Sequence, residues 1–192
     1  MKKRMDRKQL IRISKYLCKH LRHQPERLGL ELAPGGWVAV EDLLAALKRN
    51  NFPVSRSELE RVVADNDKQR FSFDPTGEMI RANQGHSVDV DLCLEPVPPP
   101  FRLYHGTARQ NLEPILRTGL RRMGRHHVHL CRTPEEARMV GARRGRPVVL
   151  EVDAAAMAEA GHRFFVSDND VWLAEKVPPG FVGPLEPEDS PN

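Results

Sequence analysis

The sequence predicts an α+β protein of two lobes, and three observations carry that prediction. Apolar residues recur at helical spacing through the first third of the chain. Short strand-like segments with brief helices dominate the second half. Between the halves, Glu95-Pro96-Val97-Pro98-Pro99-Pro100 reads as a stiff linker without secondary structure. The expected organisation is therefore residues 1–95, residues 101–183, and a flexible tail over 184–192.

In the first lobe, Leu10, Ile13, Leu17 and Leu21 fall on one face of a helix spanning Asp6 to His23. It stops before Gln24-Pro25 because a residue preceding proline is disfavoured in helical geometry. Gly35-Gly36 turns the chain into a short strand, Trp37 to Val40, and Glu41 to Arg49 is helical again through Leu43, Leu44 and Leu47. Ser55 and Glu58 form a capping box for a third helix with Leu59, Val62 and Val63 on its apolar face. Arg70 to Phe73 and Met79 to Ala82, joined through Asp74-Pro75-Thr76-Gly77, read as a hairpin. Three helices followed by a hairpin outline a winged helix, a module that touches nucleic acid in some proteins and other proteins in others. Asn83-Gln84-Gly85-His86 then precedes an alternating strand, Val88, Val90 and Leu92.

In the second lobe, Leu103-Tyr104 is a strand that turns through His105-Gly106-Thr107. Thr107 and Gln110 read as a capping box for a helix carrying Leu112, Ile115 and Leu116, with Gly119 as its left-handed C-cap. Met123-Gly124-Arg125-His126-His127-Val128-His129-Leu130 reads as a strand carrying imidazoles, and Thr133-Pro134 opens another helix. Val148 to Val152 is a buried strand, Asp153 to Ala160 a short helix, and strands follow at Phe164 to Val166, Val171 to Leu173 and Phe181-Val182.

Composition bounds the function. The 192 residues are 40% hydrophobic and 29% charged, as in ordinary globular proteins. No run approaches the roughly 18 apolar residues of a membrane span, so no membrane partner is expected. The basic start, Met1 to Arg7, lacks the apolar core of a secretion signal. Cys18, Cys93 and Cys131 are odd in number and scattered, which gives neither a zinc pattern nor a disulfide framework and favours a cytoplasmic protein. A monomer is expected. The net charge is only +4, yet the bases cluster in residues 1–27 and 102–146, which raises the odds of a phosphate-bearing partner. Charge alone leaves a solvated basic face equally open.

Four constellations carry potential chemistry. Arg22-His23 closes the first helix, where cations also favour the helix dipole. Together with Arg70 and Arg125 they would make a phosphate cage, because guanidinium forks match phosphate oxygens. His105-Gly106-Thr107 could bring backbone amides to a pyrophosphate, although three residues alone are a weak signal. His127 and His129 share a strand face. Metal is the rival reading there, and the surrounding arginines would repel a cation, so no metal is expected. Asn83, Gln84 and His86 could hydrogen-bond phosphate or sugar. An anionic ligand is indicated; these residues by themselves leave dinucleotide and nucleic acid both open.

The segments SKYLCKHLRHQPERLGLELAPGGWVAVEDLL, KQRFSF, IRANQGHSVDVDL, LYHGT, GLRRMGRHHVHL and VWLAEKVPP, in this order and spacing, resemble the RNA 2′-phosphotransferase (Tpt1/KptA) family. The match runs from about Ile13 to Val182. The resemblance implies a winged-helix RNA-binding lobe followed by an ADP-ribosyltransferase-like, β-rich lobe that binds NAD. It implies an NAD-dependent enzyme of RNA processing and tRNA splicing, with 2′-phosphorylated, tRNA-like RNA and NAD as its two substrates. The reaction would move an internal RNA 2′-phosphate to ADP-ribose, releasing nicotinamide, RNA with a 2′-hydroxyl, and ADP-ribose 1″,2″-cyclic phosphate. The family's Arg-His-Arg-Arg tetrad falls on Arg22, His23, Arg70 and Arg125, with Arg117, Arg121 and Arg122 as competitors for the last place. NAD binding falls on His105, Gly106, Thr107, His127 and His129, and substrate binding on Asn83, Gln84 and His86.

The sequence departs from the family's pattern where Cys131 replaces a common serine and where Asn169-Asp170 replaces Asn-Gly. No counterpart to the glutamate of protein-modifying ADP-ribosyltransferases stands out. Two other readings remain: an ADP-ribosyltransferase acting on nucleic-acid terminal phosphates, and a non-catalytic winged-helix binder.

Overall fold

The structure is a computed structural model that describes residues 6–65 and 68–185. The protein is mixed α and β, and it divides at Leu94/Glu95 into two compact units.

The first unit begins with helix α1, Arg7–His23. Asp6 caps it by accepting a hydrogen bond from the Gln9 amide at 2.7 Å. Ile13, Leu17 and Leu21 are buried along its inner face. A strand β1 (Trp37–Ala39) leads directly into α2 (Val40–Arg49), and α3 (Arg56–Ala64) follows. The Ser55–Glu58 capping box is formed: the Glu58 amide donates to Ser55 Oγ at 3.3 Å and the Ser55 amide to Glu58 Oε2 at 2.9 Å. Strands β2 (Phe71–Phe73) and β3 (Met79–Ala82) make the hairpin, and β1 joins them in the antiparallel order β1-β3-β2. Leu17, Leu21, Leu43, Leu47, Leu59 and Ile80 have no exposed surface at all, and each contributes roughly 1.5–3 kcal/mol by leaving water.

The second unit contains two three-stranded antiparallel sheets. In the first, β7 (Pro147–Asp153) lies between β4 (Arg102–Ala108) and β11 (Val182–Pro184). In the second, β9 (Trp172–Ala174) lies between β6 (Val128–Leu130) and β8 (Phe164–Val166). A bridge between Tyr104 and Cys131 links β4 to the residue following β6. Helices α4 (Leu112–Thr118), α5 (Pro134–Gly141) and α6 (Ala154–Glu159) complete the unit. Leu103, Leu130, Leu150, Met157, Phe164 and Trp172 lie in its core.

Several sequence expectations are corrected. His105-Gly106-Thr107 is not a turn: it lies inside the seven-residue strand β4, which pairs with β7 from Arg102 to Ala108. Thr107 therefore caps no helix. Its Oγ1 instead accepts a hydrogen bond from Asn111 Nδ2 at 3.2 Å, and α4 starts five residues later without a side-chain cap. The histidine strand is shorter than expected, since pairing with β9 begins only at Val128 and leaves His126 and His127 in the preceding bend. Val88 to Leu92 forms no strand; the Asp91 carbonyl accepts from the Gly35 amide at 2.7 Å, so this segment is tied to a loop rather than to a ladder. Gly119 takes the positive φ expected of a C-cap, but its ψ of −177° is extended rather than left-handed helical. In the expected tail, Pro184 ends β11 and the Leu185 amide donates to the Val149 carbonyl at 3.0 Å. The remainder of that tail, 186–192, lies outside the described residues, as does 1–5. The strand pair β5 (Leu120–Arg121) and β10 (Lys176–Val177) was too short to be read from alternation.

Gly106 explains why a strand interior looked like a turn. A Cβ there would sit 1.6 Å from the Ala137 carbonyl oxygen of α5, so the glycine lets that helix lie directly on β4. Gly106→Ala should lower unfolding stability by about 3 kcal/mol or more, through overpacking against backbone that cannot yield. Urea unfolding checks this, and a wild-type midpoint would show that Gly106 does not set the packing.

Candidate active-site residues in the two units

In the first unit the structure brings most of the predicted residues onto one short segment. Arg22 and His23 form the last turn of α1. The Arg22 carbonyl accepts from the Ser87 amide at 2.9 Å, and His23 Nδ1 lies 2.9 Å from Ser87 Oγ. Arg70 immediately precedes β2, and its carbonyl accepts from the Asn83 amide at 2.9 Å. Asn83 Nδ2 also donates to the Gln69 carbonyl at 2.7 Å. Segment 83–87 is thus pinned at one end to the hairpin carrying Arg70 and at the other to the helix end carrying Arg22 and His23.

The segment's conformation depends on Gly85, whose φ of +89° disfavours residues with a side chain. A Cβ there would lie 3.5 Å from Arg22 Nη1, so the guanidinium runs past the glycine backbone. Asn83 is 5% exposed and His86 fully buried, its Nε2 3.2 Å from where a Cβ on Gly36 would lie. Asn83 ties this segment to Gln69 and Arg70, and Gln84 is half-buried. Ser87, which sequence reasoning missed, makes both ties to α1. Its position directly after Asn83-Gln84-Gly85-His86 was the available signal.

In the second unit, β4 and β6 bring His105 and His129 together: His105 Nδ1 lies 3.0 Å from the His129 carbonyl oxygen. Arg125 Nη1 lies 3.3 Å from His129 Nδ1. One strand over, Trp172 pairs with Leu130, and its buried Nε1 has no hydrogen-bond partner among the described residues. Arg132 lies over the Trp172 ring at 6.0 Å. Thr107 is turned toward Asn111 and is 8% exposed, and Gly106 lies buried against α5. His127 packs on Phe165, with ring centroids 5.4 Å apart, and burial holds its imidazole below the usual histidine range; His126 and Arg122 add to the effect. Among the described residues, no three His, Cys, Asp or Glu side chains group as a metal site would require.

The two departures from the family pattern fit their surroundings. Asp170 has φ +57°, a conformation natural to glycine that Asp tolerates better than most residues. Its turn is held by Ser167, whose Oγ donates to Asn169 Oδ1 at 2.8 Å and accepts from the Val171 amide at 3.2 Å. Cys131 is pushed up to about 11, chiefly by burial and further by Glu136, so its thiol stays neutral near pH 7.

Two titrations follow. The half-buried Cys131 thiol should react with iodoacetamide at pH 8 more slowly in the folded protein than once unfolded, as read by mass mapping; equally rapid modification of the native protein would contradict its raised value. His127 has a depressed folded value, so the unfolded chain takes up that proton first and folding stability should fall as pH drops below about 6.5. An NMR titration placing His127 at or above that value would overturn this.

The comparisons extend from these residues to the whole chain. The model of the RNA 2′-phosphotransferase, Tpt1 / KptA family matches residues 8–176. A protein of Herpetosiphon aurantiacus named "Probable RNA 2'-phosphotransferase" is 60% identical over 178 residues, covering 93% of this chain and 98% of its own. One of the same name from Nostoc punctiforme is 57% identical with the same coverage, and one from Streptomyces griseus is 57% identical over 185 residues. With a match that takes in α1, the hairpin, the segment 83–87, β4 and β6 alike, the chain belongs to the RNA 2′-phosphotransferase family.

Proposed function

We propose that the protein is an NAD-dependent RNA 2′-phosphotransferase. It would transfer an internal RNA 2′-phosphate to ADP-ribose and release nicotinamide, 2′-hydroxyl RNA and ADP-ribose 1″,2″-cyclic phosphate. The observation that carries this reading is the pinning of segment 83–87 between Arg70 and the Arg22-His23 helix end. It ties the backbone of Arg70 to the helix end carrying Arg22 and His23, so that one braced part of the unit carries two guanidinium groups and an imidazole, the donors that suit a phosphate dianion. In this reading the first unit is a winged-helix RNA-binding lobe, supported by its three helices and β1-β3-β2 sheet. The second is an ADP-ribosyltransferase-like lobe, supported by its two antiparallel sheets.

The residues of the second unit suit NAD. His105, His129, Arg125 and the buried, unpartnered Trp172 N–H supply donors for a pyrophosphate or an amide. Gly106, Thr107 and His127 would shape this part of the fold from beneath. NAD supplies an electrophilic ribose carbon with nicotinamide as a neutral leaving group. Arg22 and Arg70 hold the 2′-phosphate by paired N–H donors and offset its charge as it becomes crowded. The family resemblance assigns Arg125 the fourth role. The phosphate oxygen is already nucleophilic at neutral pH, so positioning matters more there than a base. The departing RNA 2′-oxygen does need a proton, and His23 is the group suited to give it. The Ser87 hydroxyl fixes the His23 ring at Nδ1, which directs Nε2 to that proton transfer.

Mass spectrometry after incubation with NAD and a 2′-phosphorylated oligonucleotide tests the reading. Loss of the phosphate with nicotinamide release is expected, and neither occurring would sink it. ADP-ribosylated RNA as the final product would instead favour transfer to terminal phosphates. Arg70→Ala should lower kcat/KM by roughly 10²–10³-fold or trap ADP-ribosylated RNA, as expected for a lost charge-stabilising donor. Ser87→Ala should lower kcat about tenfold or more with little change in KM and should shift the pH profile, whereas Ser87→Thr should restore both. An unaltered profile in Ser87→Ala would show that the hydroxyl only braces the loop.

A further inference from the structure

We propose that the outward face of α1 is a track for single-stranded RNA that leads the strand toward Arg22 and His23. The inference rests on the reading of the protein as an RNA-modifying enzyme and names the surface that would hold RNA beyond its reacting nucleotide. At 100° per residue, Lys8, Arg12, Lys15, Lys19 and Arg22 fall within about 80° of arc, opposite the buried Ile13, Leu17 and Leu21. The first four side chains are exposed. No Asp or Glu occurs anywhere from Arg7 to His23, and the carboxylate of the capping Asp6 already accepts the Gln9 amide. From Lys8 to Lys19 the stripe is about 16 Å long, room for several backbone phosphates in succession.

Charge alone would also describe a solvated helix face. The neighbouring apolar groups argue for more than that. The four cations line one open depression together with Ile11, Tyr16 and Phe52. Tyr16 and Phe52 stack with ring planes 4° apart at 3.9 Å, and the Arg12 guanidinium lies 5.0 Å from the Phe52 ring centre. Ile11 is 47% exposed, an apolar side chain left in water beside bases. Apolar and aromatic surface flanked by cations suits the ribose and base faces of an unpaired strand, with its phosphates on the lysines. A duplex would keep its bases stacked inside and use only the charge. The stripe ends at the helix turn carrying Arg22 and His23, so a strand laid along it arrives at the proposed phosphate-binding residues.

The test uses the full chain and two labelled RNAs, a dinucleotide and an octamer, each carrying one 2′-phosphate. Fluorescence anisotropy should show the octamer binding at least tenfold more tightly than the dinucleotide. The combined variant Lys8→Ala, Lys15→Ala, Lys19→Ala should abolish that advantage. Its log affinity against log salt should be shallower by about 2, from three contacts at roughly 0.7 each on a single strand. Alanine is a strong helix former, so circular dichroism should show the fold intact. A wild type without length advantage, or a variant that keeps it, overturns the track. So does equal or stronger binding of duplex RNA or of phosphatidylserine vesicles through the same lysines. Turnover of the dinucleotide with NAD reports the enzymatic reading separately: phosphate loss with an unaltered variant affinity refutes only the track, and lysine-dependent binding without phosphate loss refutes only the activity.

Discussion

The arrangement of the first unit depends on the hydrogen bond from the Ser87 amide to the Arg22 carbonyl. The last carbonyls of a helix have no partner within it, and burying one unpaired costs about as much as a lost hydrogen bond. Here the segment that follows the hairpin supplies the donor, and its serine side chain reaches the next residue, His23. A structural need at the end of α1 is thereby met by the same residue that orients the imidazole. Asn83 does the equivalent at the hairpin end, its amide and side chain occupying the carbonyls of Arg70 and Gln69. Gly85 permits the bend between these two ties. Arg22, His23 and Arg70 come from distant parts of the sequence, and this short segment holds them in register.

The local signals in the first unit were legible because each has a local cause. The Ser55–Glu58 box, the apolar stripe of α1 and the turn residues between β2 and β3 all act within a few positions of themselves. The errors arose where a distant neighbour decides. His105-Gly106-Thr107 resembles a turn because glycine and polar residues punctuate most turns, but the long ladder with β7 keeps it extended. Gly106 is there for α5, thirty residues farther along, and no local rule reveals that. Likewise Val88 to Leu92 alternates as a strand should and finds no strand to pair with.

The same distinction runs through the site residues. Arg22, His23 and Arg70 stand out by residue type, and family resemblance assigned them a common task. Which neighbours brace them could not be read from residue type. Asn83 and His86, expected as polar contacts for a substrate, are both buried, and Asn83 spends its side-chain amide on the Gln69 carbonyl. Ser87 looked like part of a loop and makes two of the bonds on which the loop depends. A buried polar group must find partners, so accounting for each donor and acceptor identifies bracing residues that chemical character alone does not.

The departures at Cys131 and Asp170 are informative because they change chemistry while leaving the backbone demand satisfied. Residue 131 exchanges both backbone hydrogen bonds with Tyr104, at 2.7 and 2.9 Å, and this needs no particular side chain. Burial then keeps the thiol neutral, so a thiolate is not added beside His129 and Arg125. At residue 170 the demand is a positive φ, which Asp can meet at modest cost, and its carboxylate is exposed, where water screens it from the arginines. In each case the altered atom either carries no charge or carries it into solvent. Both changes therefore leave the cationic character around His129 and Arg125 unaltered.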